Sequence, residues 1–412
     1  MPAGLVELKT AVRPEERERS MSDTTDCVVT PRVPTEGFDT LGVATYRAST
    51  ITFGDAAAYA ARGSRGDKGY SYGLYGTPTT RTLEEKLTRL EQAVRSFLAP
   101  SGQAANTLAI LPFLAAGDHV LMADTIYPPM RDFARTDLAR LGVTTDFFDP
   151  TDAGDLRRRI TAKTRIVWCE SPGSITMELM DLPQVAAIAH ATGALVGVDN
   201  TWATPLNLKP LTLGADIVTE ALTKYASGHS DVIMGSISVR DPAIAAAIKA
   251  SMGRLGIGVS SDDASMVLRG METLALRLTH QGRVALEFAT RLAGHPLVAA
   301  VLHPALPQDP GHALFTRDFL GTSGVFSLVF PPDVAARVAP ALDAFRLFAI
   351  GASWGGTRSL AAPMPVVAHR TAQPWTRPDV VLRLSIGLED EAELWQDLES
   401  FLTALGREDL AA

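Results

Sequence analysis

Cysteine is almost missing from this chain: Cys27 and Cys169 are the only two among 412 residues. Cys169 falls inside Arg165-Ile166-Val167-Trp168-Cys169, which reads as a buried strand, so a disulfide framework is not expected. Long apolar runs are missing too. None approaches the roughly 20 residues of a membrane-spanning helix, and residues 1–26 lack the apolar core of a signal peptide. A cytoplasmic protein with no membrane partner is expected. The third absence is basic excess: 38 Lys and Arg stand against 46 Asp and Glu, a net charge of -8, which argues against nucleic acid or an acidic membrane. A small molecule is the expected ligand. Internal repeats and low-complexity segments are absent, and the charged stretch Arg13 to Arg19, followed by Met21, reads as a loose extension or an upstream start.

What is present is core-forming material. With 46% hydrophobic residues, a chain of this length can bury a large core, expected as two domains. From Leu83 to about Met252, helical patterns alternate with short β-branched runs at His119 to Met122, Val143 to Phe148 and Arg165 to Trp168. That alternation predicts an α/β domain with a mostly parallel sheet covered by helices. A long helical pattern, Ser265 to Ala293, leads out of it. Beyond lie strand-like Val325 to Phe330 and Val381 to Ile386, then a closing helix from Glu391 to Leu405, which together read as a smaller α+β domain. The domain boundary is placed near residue 270, with Pro304 to Pro310 and Pro363 to Pro378 as loops.

The chemistry concentrates in Asp199-Asn200-Thr201-Trp202-Ala203-Thr204-Pro205, followed by Thr223-Lys224-Tyr225 and Gly228-His229-Ser230-Asp231. An apolar strand, Ala194 to Val198, ends at Asp199, and a second run, Asp216 to Thr219, leads towards Lys224. Strand ends are where α/β enzymes place chemistry. A lysine among small and apolar residues loses basicity on burial and becomes more nucleophilic towards a carbonyl. An aspartate is the natural counter-ion for a protonated pyridine nitrogen. Together the two residues suggest pyridoxal 5'-phosphate. Taken singly, a strand-end lysine is usually a solvated charge and a strand-end aspartate often a helix cap; the pair carries the reading. A helix from about Gly102 to Ala116, closed by Gly117-Asp118, offers backbone N–H groups at Ser101-Gly102-Gln103 to a phosphate, although most such starts are ordinary caps.

With these motifs stand Glu170-Ser171-Pro172-Gly173-Ser174-Ile175-Thr176-Met177-Glu178, Ser353-Trp354-Gly355-Gly356 and Arg383-Leu384-Ser385-Ile386-Gly387-Leu388-Glu389-Asp390. On them the chain, from about Tyr70 to Leu405, resembles the pyridoxal-phosphate enzymes of cysteine and methionine metabolism, and among these the bacterial cystathionine β-lyases. The Glu-Ser-Pro-Gly-Ser version favours that branch over the γ-enzymes. The resemblance implies a fold-type I large domain over 70–270, a small domain over 271–412, and an N-terminal extension and inter-subunit arm over 1–69. It implies that Lys224 binds the cofactor's carbonyl carbon and moves the substrate Cα proton, that Asp199 keeps the pyridine nitrogen protonated, and that Tyr127 stacks on the ring. Gly102, Gln103 and Thr223 are implied as phosphate ligands, Tyr72 as a contact to a neighbouring subunit's cofactor, Arg383 as the grip on the substrate carboxylate, and Ser353 and Trp354 as its surroundings. No metal is implied. A homodimer or homotetramer with shared active sites is expected, and an amino acid as substrate.

The implied activity is carbon–sulfur β-elimination on cystathionine or a related cysteine thioether, giving a thiol such as homocysteine, pyruvate and ammonia, within methionine biosynthesis. The alternatives are γ-elimination or γ-replacement with the same cofactor, and a catalytically silent binding subunit. Departures from the family pattern bear on this choice. Leu74 stands where an arginine usually follows Tyr72 by two positions, with Arg62, Arg65 and Lys68 upstream as substitutes. Ala221 lacks a common hydroxyl. Ala352, before Ser353, replaces tyrosine or glutamate, and Arg358 replaces glutamate.

Overall fold

In a computed structural model, residues 22–29 and 40–407 are described; the Arg13 to Arg19 stretch and Met21 lie outside them. Seven strands form the larger sheet: β1 (Arg95–Ala99), β2 (His119–Ala123), β3 (Thr144–Phe148), β4 (Thr164–Glu170), β5 (Leu195–Asp199), β6 (Ile217–Glu220) and β7 (Gly235–Val239). Their order is β1-β7-β6-β5-β4-β2-β3. The five strands from β6 to β3 run parallel, and β7 is antiparallel to both its neighbours. Every residue of β2, β6 and β7 is buried, as a sheet covered on both faces requires. The α/β expectation holds.

Packing fixes the register that the chemistry depends on. Trp168 on β4 lies opposite Gly197 on β5, and a Cβ built at Gly197 would come within 2.4 Å of the indole. The glycine is a seat for the buried ring, and Gly197→Ala would overpack it at a cost of about 1–3 kcal/mol. With that seat filled, Glu170 pairs with Asp199, and Asp199 with Thr219, along the carboxyl edge of the sheet.

A second sheet contains β8 (Ala300–Leu302), β9 (Val325–Val329), β10 (Ala349–Ile350), β11 (Leu360–Pro365) and β12 (Val380–Ser385), in the order β10-β11-β12-β9-β8. It is antiparallel except for β10 against β11. Phe288 and Leu292 from the helix Leu274–Leu292, and Leu398 and Phe401 from the helix Glu391–Leu405, share a core with Phe326, Leu328 and Leu384 of this sheet.

Three expectations change in detail. The helix that begins at Gly102 stops at Ile110 and tightens into a 3-10 turn at Leu111–Phe113. Pro112 explains the stop, since it has no N–H to continue the ladder. The Ser265 to Ala293 pattern is two helices, Ser261–Met271 and Leu274–Leu292. At the break, Thr273 leaves helical geometry, and its hydroxyl both donates to Gly270 O at 3.3 Å and accepts from Arg277 Nε at 3.0 Å, diverting groups from the helix ladder. Finally, the Pro363 to Pro378 segment starts as strand. Pro363 and Pro365 pair with β12, while β10 reaches only Leu360 and Ala361, so the prolines sit where β11 has become an edge.

Candidate active site

The carboxyl ends of β4, β5 and β6 deliver Glu170, Asp199 and the turn that carries Lys224. Asp199 is 9% exposed; its Oδ1 accepts from the backbone N–H of Thr201 at 3.0 Å and its hydroxyl at 2.5 Å, and its Oδ2 accepts from Asn106 Nδ2 at 2.9 Å. Asn106 is oriented in turn by Thr219, which donates to Asn106 Oδ1 at 2.6 Å. Thr201 Oγ1 also accepts from Ala221 N at 2.8 Å, tying the Asp199 turn to the Lys224 turn. The carboxylate is therefore fixed by three donors.

Lys224 Nζ donates to Ser353 Oγ at 2.7 Å and lies 5.3 Å from the centre of the Trp354 ring. Burial, helped by the nearby Arg383 charge and opposed by Asp199, pulls its pKa down to about 8. Such an amine is available as a base or nucleophile near neutral pH. Gly355, at φ +82°, lets the chain turn beside it; a Cβ there would lie 3.3 Å from Lys224 Cβ. Trp354 packs on Tyr225 with ring centres 5.5 Å apart, so the segment after β10 is held against the lysine turn.

Arg383, on β12 and 8% exposed, donates to the carbonyls of Ala352 and, at 3.3 Å, Ser353. Burial lowers its pKa to about 10, with Tyr127 acting the other way. Tyr127, 43% exposed, donates its backbone N–H to Glu170 Oε2 at 2.6 Å. Burial, together with the Glu170 and Asp199 carboxyls, raises its phenol pKa. Glu170 itself is pushed well above the carboxylate range by burial and by Asp199.

Gly102 opens its helix hard against the Lys224 turn: a Cβ there would lie 2.5 Å from Ala221 Cβ. Ser101 caps that helix by accepting from Ala104 N at 3.0 Å. Gln103 donates to Pro129 O at 3.2 Å, while its buried Oε1 has no partner. The hydroxyl of Thr223 is engaged with Met234, donating to its carbonyl at 3.1 Å and accepting from its N–H at 3.0 Å. Tyr72 is 45% exposed, its hydroxyl meets Ser49 at 3.4 Å, and its backbone bridges to Thr50. Leu74 turns back onto its own chain, its Cδ1 2.9 Å from the position of a Gly258 Cβ.

The structure thus draws Lys224, Ser353, Trp354, Arg383, Asp199 and Tyr127 into one linked group. Sequence reasoning assigned no role to Glu170, Asn106 or Thr201. Glu170 closes a parallel strand beside Asp199, a signal that strand register alone provides. The residues fit pyridoxal phosphate: a weakened lysine, a held carboxylate, a helix start at Gly102 packed against the lysine turn, and a buried arginine.

This fold and site define a pyridoxal-phosphate enzyme with an α/β large domain. A family model described as Cys/Met metabolism PLP-dependent enzyme matches residues 24–403, and the chain belongs to that family. It is 43% identical over 356 residues to a putative cystathionine beta-lyase of Rhizobium johnstonii, covering 85% of this chain and 88% of that one. It is 39% identical over 362 residues to the cystathionine beta-lyase MetC of Escherichia coli, covering 86% and 91%. The crystal structure of metB from Corynebacterium glutamicum superposes with a TM-score of 0.86 at 27% identity, covering 93% of this chain and 98% of that one. Among the described residues no helix is long and apolar enough to cross a membrane.

Proposed function

We propose that this chain is a carbon–sulfur β-lyase that cleaves cystathionine or a close cysteine thioether to a thiol, pyruvate and ammonia. The observation that carries the reading is the Lys224 amine, held by Ser353 beside the Arg383 anchor and pulled down to a pKa of about 8. The chemistry supplied by bound pyridoxal phosphate is an electron sink for the pair left at the substrate Cα. Asp199 holds negative charge at the ring nitrogen, with Asn106 and Thr201 fixing its direction. Gly102, Gln103 and Thr223 would hold the phosphate, and Tyr127 would stack on the ring. Arg383 takes the substrate carboxylate on its planar fork, and Ser353 and Trp354 close that side. Lys224 then removes the Cα proton and returns a proton to the departing sulfur. The similarity to two cystathionine beta-lyases supports elimination at Cβ.

A second reading, γ-elimination or γ-replacement, is favoured by Ala352, which immediately precedes Ser353, and Arg358, just past the paired glycines, both exposed. Incubating the enzyme with cystathionine separates the two: pyruvate with homocysteine is expected, whereas 2-oxobutyrate without pyruvate would overturn β-elimination. We further propose a cytoplasmic homodimer or homotetramer in which Tyr72 serves a neighbouring subunit's cofactor. The domain division is proposed at 1–69, 70–270 and 271–412.

A further inference from the structure

A cavity lined by both sheets' neighbourhoods lies away from Lys224. It has a volume of about 460 Å³ and sits at the seam of the two sheets, walled by the Thr176–Leu179 stretch on one side and by Leu302, Leu314 and the Arg370–Arg377 loop on the other. Small-molecule sites favour such seams and such volumes. The apolar part of the wall includes Met177, Leu179, Leu302, Leu314 and the indole of Trp375, whose Nε1 is tied to Pro378 O at 2.9 Å.

Its charged groups are three carboxyls, Glu178, Asp181 and Asp309, and two guanidiniums, Arg370 and Arg377; Asp181 is paired with Arg317, and the Arg370–Glu178 pair is only partly satisfied. Arg370, with a side chain only 4% exposed, donates from Nη2 to Glu178 Oε1 at 2.7 Å and to Thr176 Oγ1. Its Nη1 is buried with no partner, and so is Oε2 of Glu178. A donor and an acceptor are thus left over from one ion pair. Asp309 also lines the space, its Oδ1 accepting only from Gly311 N at 2.8 Å, and burial raises its pKa. Arg377 adds a second cation above Trp375, 5.7 Å from the ring centre. Buried polar groups ask for partners, and a leftover donor beside a leftover acceptor asks for both charges on one ligand.

We propose that this cavity is a second amino-acid site, separate from the catalytic one, that takes a free zwitterionic α-amino acid with an apolar side chain. Arg370 takes the carboxylate, Glu178 takes the ammonium, and the side chain lies on Trp375 and Leu314. Both walls of the cavity reach the catalytic group. Asp124, three residues before Tyr127, accepts from the N–H groups of Thr371 and Ala372 at 2.8 Å each and Gln373 at 3.0 Å, all in the loop that carries Arg370. On the other wall, Ser174, in the segment leading to Thr176, donates its N–H to Thr125 O at 2.7 Å. Filling the cavity therefore loads both anchors, Asp124 and Thr125, in the stretch just before Tyr127.

The test is calorimetric titration of the cofactor-loaded enzyme with L-norleucine, which has no sulfur to eliminate. Capture at the catalytic site is read separately from the cofactor's visible absorbance. Two equivalents per chain are expected, one of them silent in absorbance. Leu314→Trp, which fills the cavity without removing a hydrogen bond, should weaken the silent equivalent at least tenfold and leave the other unchanged. Glu178→Gln, similar in shape but uncharged, should do the same. N-acetyl-L-norleucine, which keeps the anion but not the ammonium, should bind neither site. A single equivalent that tracks absorbance would overturn the proposal, as would a silent equivalent that survives Glu178→Gln or accepts the acetylated probe. The lyase reading is decided by pyruvate, so the two can fail independently.

Discussion

The catalytic group has two sides built on different principles. The floor is the carboxyl edge of β4, β5 and β6, where Asp199 is met by three donors and each donor is itself engaged or fixed by backbone. The outer wall is the segment from Ala352 to Arg358, in which Ala352, Ser353, Thr357 and Arg358 are exposed and only the paired glycines are buried. A buried and fully bonded floor tolerates little change, because each removed partner strands another group. An exposed wall can change at small cost. The departures from the family pattern at Ala352 and Arg358 fall on the wall, while the floor keeps its lysine and aspartate and its own departure, Ala221, enters the bonding only through its backbone N–H.

The hardest blow to the floor is Lys224→Ala. Turnover should fall by roughly 10²–10⁴-fold or more, since a positioned acid–base group contributes that much, and the absorbance of lysine-bound cofactor should vanish. Retained absorbance would refute the assignment of Lys224. The same residue gives a stability signature in the cofactor-free protein. Its folded pKa, about 8, lies below its ordinary 10.5, so between these values the unfolded chain binds more protons. Stability contributed by this group therefore rises as pH climbs from 8 to 10.5. Lys224→Met should flatten that rise relative to the parent in paired melting curves; parallel curves would mean that the amine is not desolvated.

A second cut at the floor removes a partner and leaves the carboxylate. Asn106→Ala strands Asp199 Oδ2 and the Thr219 hydroxyl in a buried site, at a cost of about 1–3 kcal/mol in stability. If half of that is felt at the transition state, kcat falls by roughly tenfold or less, with KM nearly unmoved. A lower melting temperature with unchanged kcat would make Asn106 a structural residue only.

How much of this was legible in the sequence follows the same division. Asp199 was readable because it ends a strand-like run and Lys224 because it follows one closely, and the parallel sheet was readable from alternating periods. The bonds that hold Asp199 were not. Asn106 lies 93 residues away in sequence and meets the carboxylate only after β5 and the helix from Gly102 have packed. Glu170 was visible as a letter in a motif, but its position beside Asp199 depends on the β4–β5 register, which Trp168 and Gly197 set. β1 and β7 were passed over because Arg95–Ala99 and Gly235–Val239 are short, with serine or glycine inside, and pairing across 142 residues joins them. The break at Thr273 was hidden since helical periodicity continues on both sides of it.

The outer wall gives the smallest effect and the sharpest test of the contrast. Arg383 is anchored there by the carbonyl oxygens of Ala352 and Ser353, not by their side chains. A change of side chain at position 352 should therefore spare the carboxylate grip and alter only what the distal end of the substrate meets. Ala352→Tyr is expected to shift KM for cystathionine by roughly tenfold or less while kcat stays within about twofold, the pattern of binding felt equally in ground and transition states. Should kcat fall as far as it does for Asn106→Ala, the wall would be part of the catalytic frame, and the division between a fixed floor and a variable wall would fail.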